Sequence, residues 1–196
     1  MNANENRLYA IAEGQQGYFT AKQAVSCGYI TQNHRHHIRS GAWIRECRGV
    51  YRLARFPASG EGQYVLWALW SRSRADVPLG VFSHQTALSI HELSDVMPAR
   101  IHMIVPPGFR RNAALPKVLC LHRADLAAND SEPRQGYRVV RALRAIVDLA
   151  REGSESRDHL RQALQQATAR GLITRPEIRA HPDRPLVESL LEGARQ

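Results

Sequence analysis

The chain has 196 residues, 43% hydrophobic and 23% charged, enough for one large domain or a small module joined to a medium one. Its formal charge is +9 with a pI near 10.2, and Lys22 and Lys117 are the only lysines, so arginine, whose planar fork suits phosphate and guanine, carries the charge toward an anionic partner. The start lacks the basic and apolar regions of a secretory signal, the apolar run Tyr64–Trp70 is too short to span a bilayer, and three cysteines fit neither a disulfide framework nor a zinc spacing, which together predict a soluble cytoplasmic protein with no membrane partner.

Residues 3–13 read as a first helix, with Leu8, Ile11 and Ala12 facing inward and Gly14 ending it. Tyr18 and Phe19 are expected to pack where it meets a second helix, which Thr20 caps and Gly28 stops. A third helix should begin near Thr31 and end at Gly41. The pattern then changes to Trp43–Cys47, a turn at Arg48-Gly49, and Val50–Leu53, two β-runs around a glycine turn. Helix, helix, hairpin is the order of a winged helix-turn-helix, whose second helix enters the major groove while the hairpin lies along the backbone or minor groove.

Positions 34, 37 and 38 share one helical stripe, so His34 and His37 read as neutral, partly buried imidazoles beside Ile38. The opposite side carries Thr31, Gln32, Asn33, Arg35, His36 and Arg39. All can donate hydrogen bonds, and Asn, Gln and Arg can do so bidentately to adenine or guanine edges. With Thr20, Lys22, Arg45, Arg48 and Arg52 they form the candidate interface to double-stranded DNA. A solvated polar face is the plain alternative, but such a face mixes signs, and here the exposed face has no carboxylate while the wing sets Arg45, Arg48, Arg52 and Arg55 against Glu46 alone. A metal reading of His34-x-His36-His37 lacks cysteine or carboxylate partners at ligand spacing, so no metal or other cofactor is expected.

Phe56-Pro57-Ala58-Ser59-Gly60 marks the expected boundary between a winged module, residues 1–56, and a larger domain, residues 57–196. The first piece holds 8 basic against 3 acidic residues and the second 19 against 15. Glu61–Arg74 has helical spacing through Val65, Leu66, Leu69 and Trp70, with Trp67 off the stripe. Val81-Phe82 leads into a helix with Ser83 as its cap. Strands are expected at Arg100–Val105, Lys117–His122 and Tyr137–Val140, with Asp125–Gln135 as loop. Helices follow at Arg141–Glu152 and Asp158–Arg170, then one capped by Thr174, then Pro185 to about Ala194. Within Arg100–Arg144 there are 9 basic and 3 acidic residues, and Arg110, Arg111, Lys117 and Arg123 mark a candidate second basic surface. A GC-rich coding bias would also enrich arginine. The fold class expected is α+β, a winged helix-turn-helix followed by a mixed α/β domain with a small sheet.

The chain resembles the AbiEi-like antitoxins, the regulator half of type IV toxin-antitoxin modules linked to abortive phage infection. The resemblance rests on Gly17-Tyr18-Phe19-Thr20 with Gln23-Ala24, Ser40-Gly41, Arg48-Gly49-Val50-Tyr51, Ser83-His84-Gln85-Thr86-Ala87-Leu88, Ile101 through Pro106, Arg110-Arg111, Leu121-His122-Arg123 and Asp148-Leu149. It implies an antitoxin-type C-terminal domain and a repressor that binds promoter repeats of its own operon. It also implies a nucleotidyltransferase-type toxin, counteracted without a stable complex. The sequence departs from the family where His34 and His37 replace leucines, at Val140–Ala145, and after Glu152, where the match loosens.

Three other classes compete with this reading. A two-metal nuclease needs clustered carboxylates beside a lysine, and neither lysine follows a strand carboxylate by one residue. A Ser83/His84/His91/Asp148 hydrolase can be drawn, but no Gly-x-Ser-x-Gly elbow surrounds Ser83, and no Gly-x-x-x-x-Gly-Lys-Ser/Thr loop is present for a nucleotide. A solitary regulator responding to a small ligand stays open. The reading taken is a non-enzymatic regulator.

Overall fold

The computed structural model describes residues 3–94, 98–112 and 114–192. By backbone contacts the chain divides into two compact units, Met1–Gly80 with Pro133–Arg138, and Val81–Glu132 with Val139–Gln196. The architecture is α+β, with a helix-turn-helix and three-stranded sheet followed by a larger part built on a five-stranded sheet.

In the first unit, α1 (Ala3–Glu13) buries Leu8 and Ala12. β1 (Tyr18–Thr20) runs into α2 (Ala21–Ser26), and the junction is a capping box: Gln23 N–H donates to Thr20 Oγ1 at 3.1 Å, and Thr20 N–H donates to Gln23 Oε1 at 2.8 Å. Gly28, at φ +96°, ends the helix in a conformation that only glycine adopts freely. A 3₁₀ turn (Thr31–Asn33) leads into α3 (His34–Arg39), and β2 (Trp43–Cys47) and β3 (Val50–Leu53) form the wing. The sheet order is β1-β3-β2, antiparallel throughout, with the register shifting between Arg45 and Cys47.

β1 was not expected as a strand. Three residues are too few to show a period, and they become a strand only because β3 offers its free edge, pairing Tyr18 with Arg52 and Thr20 with Val50. α4 (Gly62–Trp70) also joins this unit: Gln16 donates to Glu61 at 3.1 Å, and Ser59 donates to Gln16 at 2.5 Å. The boundary expected at 56/57 thus falls inside the first unit. Ala68, which the sequence stripe omitted, is buried with Val65, Leu69 and Trp70, whereas Leu66 is only half-buried.

In the second unit the sheet order is β6-β5-β4-β8-β7, with β4 (Val81–Phe82), β5 (Ile101–Val105), β6 (Leu119–Arg123), β7 (Ser131–Arg134) and β8 (Tyr137–Val140); the tip of the β7/β8 hairpin counts with the first unit. β4 pairs antiparallel with β5 and parallel with β8, and β5 pairs parallel with β6. β7 lies in the stretch expected to be loop. Ser-Glu-Pro-Arg has no β signal of its own, but as an edge strand it tolerates a proline that donates nothing to the ladder.

α5 (His84–Ile90) packs on α6 (Ala142–Glu152), α6 on α7 (Arg157–Ala169), and α7 on α9 (Arg184–Glu192). α8 (Arg175–Ala180) starts with a Thr174–Glu177 capping box, as expected. The expected end of the last helix near Ala194 lies outside the described residues. Ser83 precedes α5 but does not cap it with its side chain; its hydroxyl lies 2.9 Å from His84 Nδ1 instead.

Candidate nucleic-acid interface

Trp43 fixes the pose of α3. Its ring meets His37 at 4.6 Å in a stack, and Phe19, Tyr29 and His34 at 4.9, 5.0 and 5.2 Å in edge contacts. Aromatic pairs of this kind add about 0.5–1.5 kcal/mol each beyond the area they bury. This explains the two histidines that stand where leucine is usual: His37 stacks on Trp43 of the first wing strand, His34 meets it edge-on, and together they join the helix to that strand.

Their environment keeps both neutral. His34 is 4% exposed, and burial, then the neighbouring His37, lowers its pKa. His37 is lowered by burial and then by His36. His34 Nε2 is buried without a hydrogen-bond partner among the described residues.

With that face turned inward, Thr31, Gln32, Asn33, Arg35, His36 and Arg39 are all exposed, and so are Arg45 and Arg48 on the wing. Among the described residues none of Arg35, Arg39, Arg45 and Arg48 has a carboxylate partner. The helix and wing therefore present a cationic, donor-rich surface whose charge is not internally neutralised.

Three residues read into the interface are committed elsewhere. Thr20 is wholly buried, its hydroxyl accepting from Gln23 N–H and donating to Asp76. Arg52 donates to Glu46 at 2.8 Å and to the Phe56 carbonyl at 2.7 Å, with its guanidinium 6.0 Å from the centre of the Tyr18 ring. The exposed Lys22 donates to the Arg74 carbonyl. Sequence spacing could not reveal these ties, because Asp76 and Arg74 lie more than 50 positions away.

The segment after α4 also holds the wing from behind. Arg72 donates to the Gly49 carbonyl at 3.2 Å and pairs with Asp76 at 3.0 Å. The helical pattern expected through Arg74 stops at Trp70, and the residues released beyond it make these ties.

In the second basic stretch Arg110 and Lys117 are exposed and Arg111 is half-buried. Arg123 donates to the carbonyls of Pro107 and Phe109 at 3.1 and 2.8 Å, so it braces its own loop. The hydrolase constellation is not assembled: His91 Nε2 lies 2.8 Å from the Val140 carbonyl, and Asp148 accepts from Arg144.

Three helices and a three-stranded sheet in the order α1-β1-α2-α3-β2-β3 make the N-terminal module a winged helix-turn-helix. A family model described as "Transcriptional regulator, AbiEi antitoxin" matches residues 6–54, from within α1 to just past the second wing strand, in accord with the resemblance read from the sequence. No curated protein matches the chain. The fold is shared with the crystal structure of the RV2827C protein from Mycobacterium tuberculosis, at 16% identity and a TM-score of 0.57, covering 98% of this chain and 72% of that one. Among the described residues no helix is long and apolar enough to cross a membrane.

Proposed function

We propose that the chain is a non-enzymatic, DNA-binding transcriptional regulator of the antitoxin type, acting in the cytoplasm. It represses its own operon by setting α3 in the major groove of promoter repeats, with the wing on the adjoining backbone. Asn33 and Arg35 read base edges, Arg48 contacts phosphate, and the remaining exposed groups of α3 complete the contact. The observation that carries this reading is the combination on α3: a donor-rich outer face free of carboxylates, and an inner face held to the wing through Trp43. The match of residues 6–54 to a regulator family supports it independently.

In the same reading the larger C-terminal part counteracts a nucleotidyltransferase-type toxin without forming a stable complex with it. The deciding experiment for DNA binding is a fluorescence-anisotropy titration of the full chain on its own promoter and on a shuffled duplex across a salt series. Preference for the promoter and a linear fall of log affinity with log salt are expected; equal affinity for both duplexes overturns the operator-specific reading. Co-expression with the adjacent gene tests the second role, restored growth being the expected result.

A further inference from the structure

The parallel pairing of β5 with β6 sets His102 opposite Cys120 and Ile104 opposite His122. Cys120 and His122 are two apart on one strand, so their side chains share a face with His102. The three ligand atoms lie within 4.8 Å of one another, with His102 Nδ1 3.0 Å from His122 Nε2, and all three residues are half-buried.

We propose that His102, Cys120 and His122 form a binding site for a zinc-class divalent metal ion. Zinc held tetrahedrally at ~2.0–2.1 Å from nitrogen keeps two imidazole nitrogens about 3.3 Å apart and their ring centres about 5 Å apart. The rings of His102 and His122 are 5.3 Å apart. Two nitrogens and one thiolate make a donor set for zinc rather than for calcium or magnesium, and three protein ligands leave the fourth position for water or an exogenous ligand.

The surroundings act as an orienting shell for His122. Glu152 Oε1 lies 3.2 Å from His122 Nδ1, so this nitrogen donates to the carboxylate and the other turns its lone pair to the metal, the usual carboxylate-histidine-metal arrangement. His84 stacks on the His122 ring at 3.6 Å and 13°, and is itself held by Glu152 at 3.1 Å and Ser83 at 2.9 Å. A second grouping, His84, His122 and Glu152, is also compact. Its two rings, however, lie face to face at 3.6 Å, well short of the about 5 Å between ring centres that share one tetrahedral ion, whereas those of His102 and His122 are 5.3 Å apart. It supports the site and is not the ligand set. His84 is held at φ +52°, left-handed for a non-glycine residue, a strained conformation that the fold sustains beside this cluster.

The test titrates reduced, chelator-stripped full-length protein with cobalt(II), then zinc. One equivalent of cobalt should produce a thiolate-to-cobalt charge-transfer band in the near ultraviolet with intense tetrahedral bands in the visible, all displaced by zinc. Cys120→Ser should remove the charge-transfer band, and Glu152→Gln should keep it while weakening affinity ~10–100-fold, as losses of such outer partners do. Absence of the band in the parent chain, or its persistence in Cys120→Ser through Cys27 or Cys47, overturns the site. Should Cys120→Ser not fold, alkylation of the parent chain read by mass spectrometry decides the question. Zinc that protects Cys120 but not Cys47 supports the site, and equal alkylation with and without zinc overturns it.

Discussion

The Thr20 hydroxyl donates to the Asp76 carboxylate at 2.5 Å while accepting the Gln23 N–H that caps α2. A residue 56 positions downstream thereby fixes the first turn of the helix-turn-helix, and Arg72, paired with the same carboxylate, reaches the wing turn at Gly49. The segment that follows α4 belongs structurally to the winged-helix module.

Replacing Asp76 with Asn, which tolerates the left-handed φ of +67° found there, should lower unfolding stability by about 1–3 kcal/mol, because Arg72 loses its anion while the amide oxygen can still accept from Thr20. Thr20→Ala should cost about 0.5–2 kcal/mol through the lost cap. Urea denaturation of the two single variants and the double variant checks the coupling. A double loss equal to the sum of the singles would show that the pair does not act together.

On the promoter duplex, Asn33→Ala and Arg35→Ala should each cost about 1–3 kcal/mol and relax sequence choice, whereas Arg48→Ala should weaken all duplexes alike and reduce the salt slope by about one unit. Arg52→Ala should leave that slope nearly unchanged, since its guanidinium is occupied by Glu46 and Phe56. Anisotropy titrations at several salt concentrations distinguish these outcomes. Uniform loss on every duplex for Arg35→Ala would take it out of the base-reading set.

Stability should rise with pH through the acidic range. The folded pKa values of His34 and His37 lie below the ordinary 6.5, so below pH 6.5 the unfolded chain binds more protons than the folded one. The contribution is full above pH 6.5 and is lost as pH falls toward the depressed folded values. His34→Leu should flatten this dependence and, by removing a buried nitrogen without a partner, gain about 1 kcal/mol near neutrality. Thermal melts from pH 5 to pH 8 provide the comparison (about the range over which histidine titrates). An unchanged slope in His34→Leu would contradict the burial argument.

In the second unit Arg144 donates through Nε to both Asp148 oxygens at 2.9 Å and through Nη1 to Asp130 at 2.9 Å, while Asp148 is only 8% exposed. Arg144→Met should destabilise by about 3 kcal/mol, the lower end for a broken buried pair because the guanidinium is partly solvated. Adding Asp148→Leu should restore most of the loss. Denaturation midpoints of the two variants test this, and a double variant no more stable than the single would refute it.

The elements set by local chemistry were readable in the sequence. Thr20 followed by Gln23, Gly28 between two helices, and Arg48-Gly49 within alternating apolar residues each specify their structure within a few positions. The neutral, inward histidines of α3 followed from the stripe they share with Ile38, although their partner Trp43 did not. What could not be read depended on distant pairing: β1 needs the edge of β3, β7 is a strand only through its place at the sheet margin, and Thr20 is removed from the surface by Asp76. Cys120 and His122 show no zinc spacing along the chain, because their third partner, His102, arrives through a parallel strand pairing.

The strand order β6-β5-β4-β8-β7 has a consequence for biosynthesis. As the chain leaves the ribosome, Val81-Phe82 can join Met103-Ile104 early, but its other flank stays open until Val139 emerges, 35 residues after Ile104. During that interval a hydrophobic ribbon has one margin bare, which makes the half-made protein most prone to sticking before the helices that begin at Ala142 have been translated.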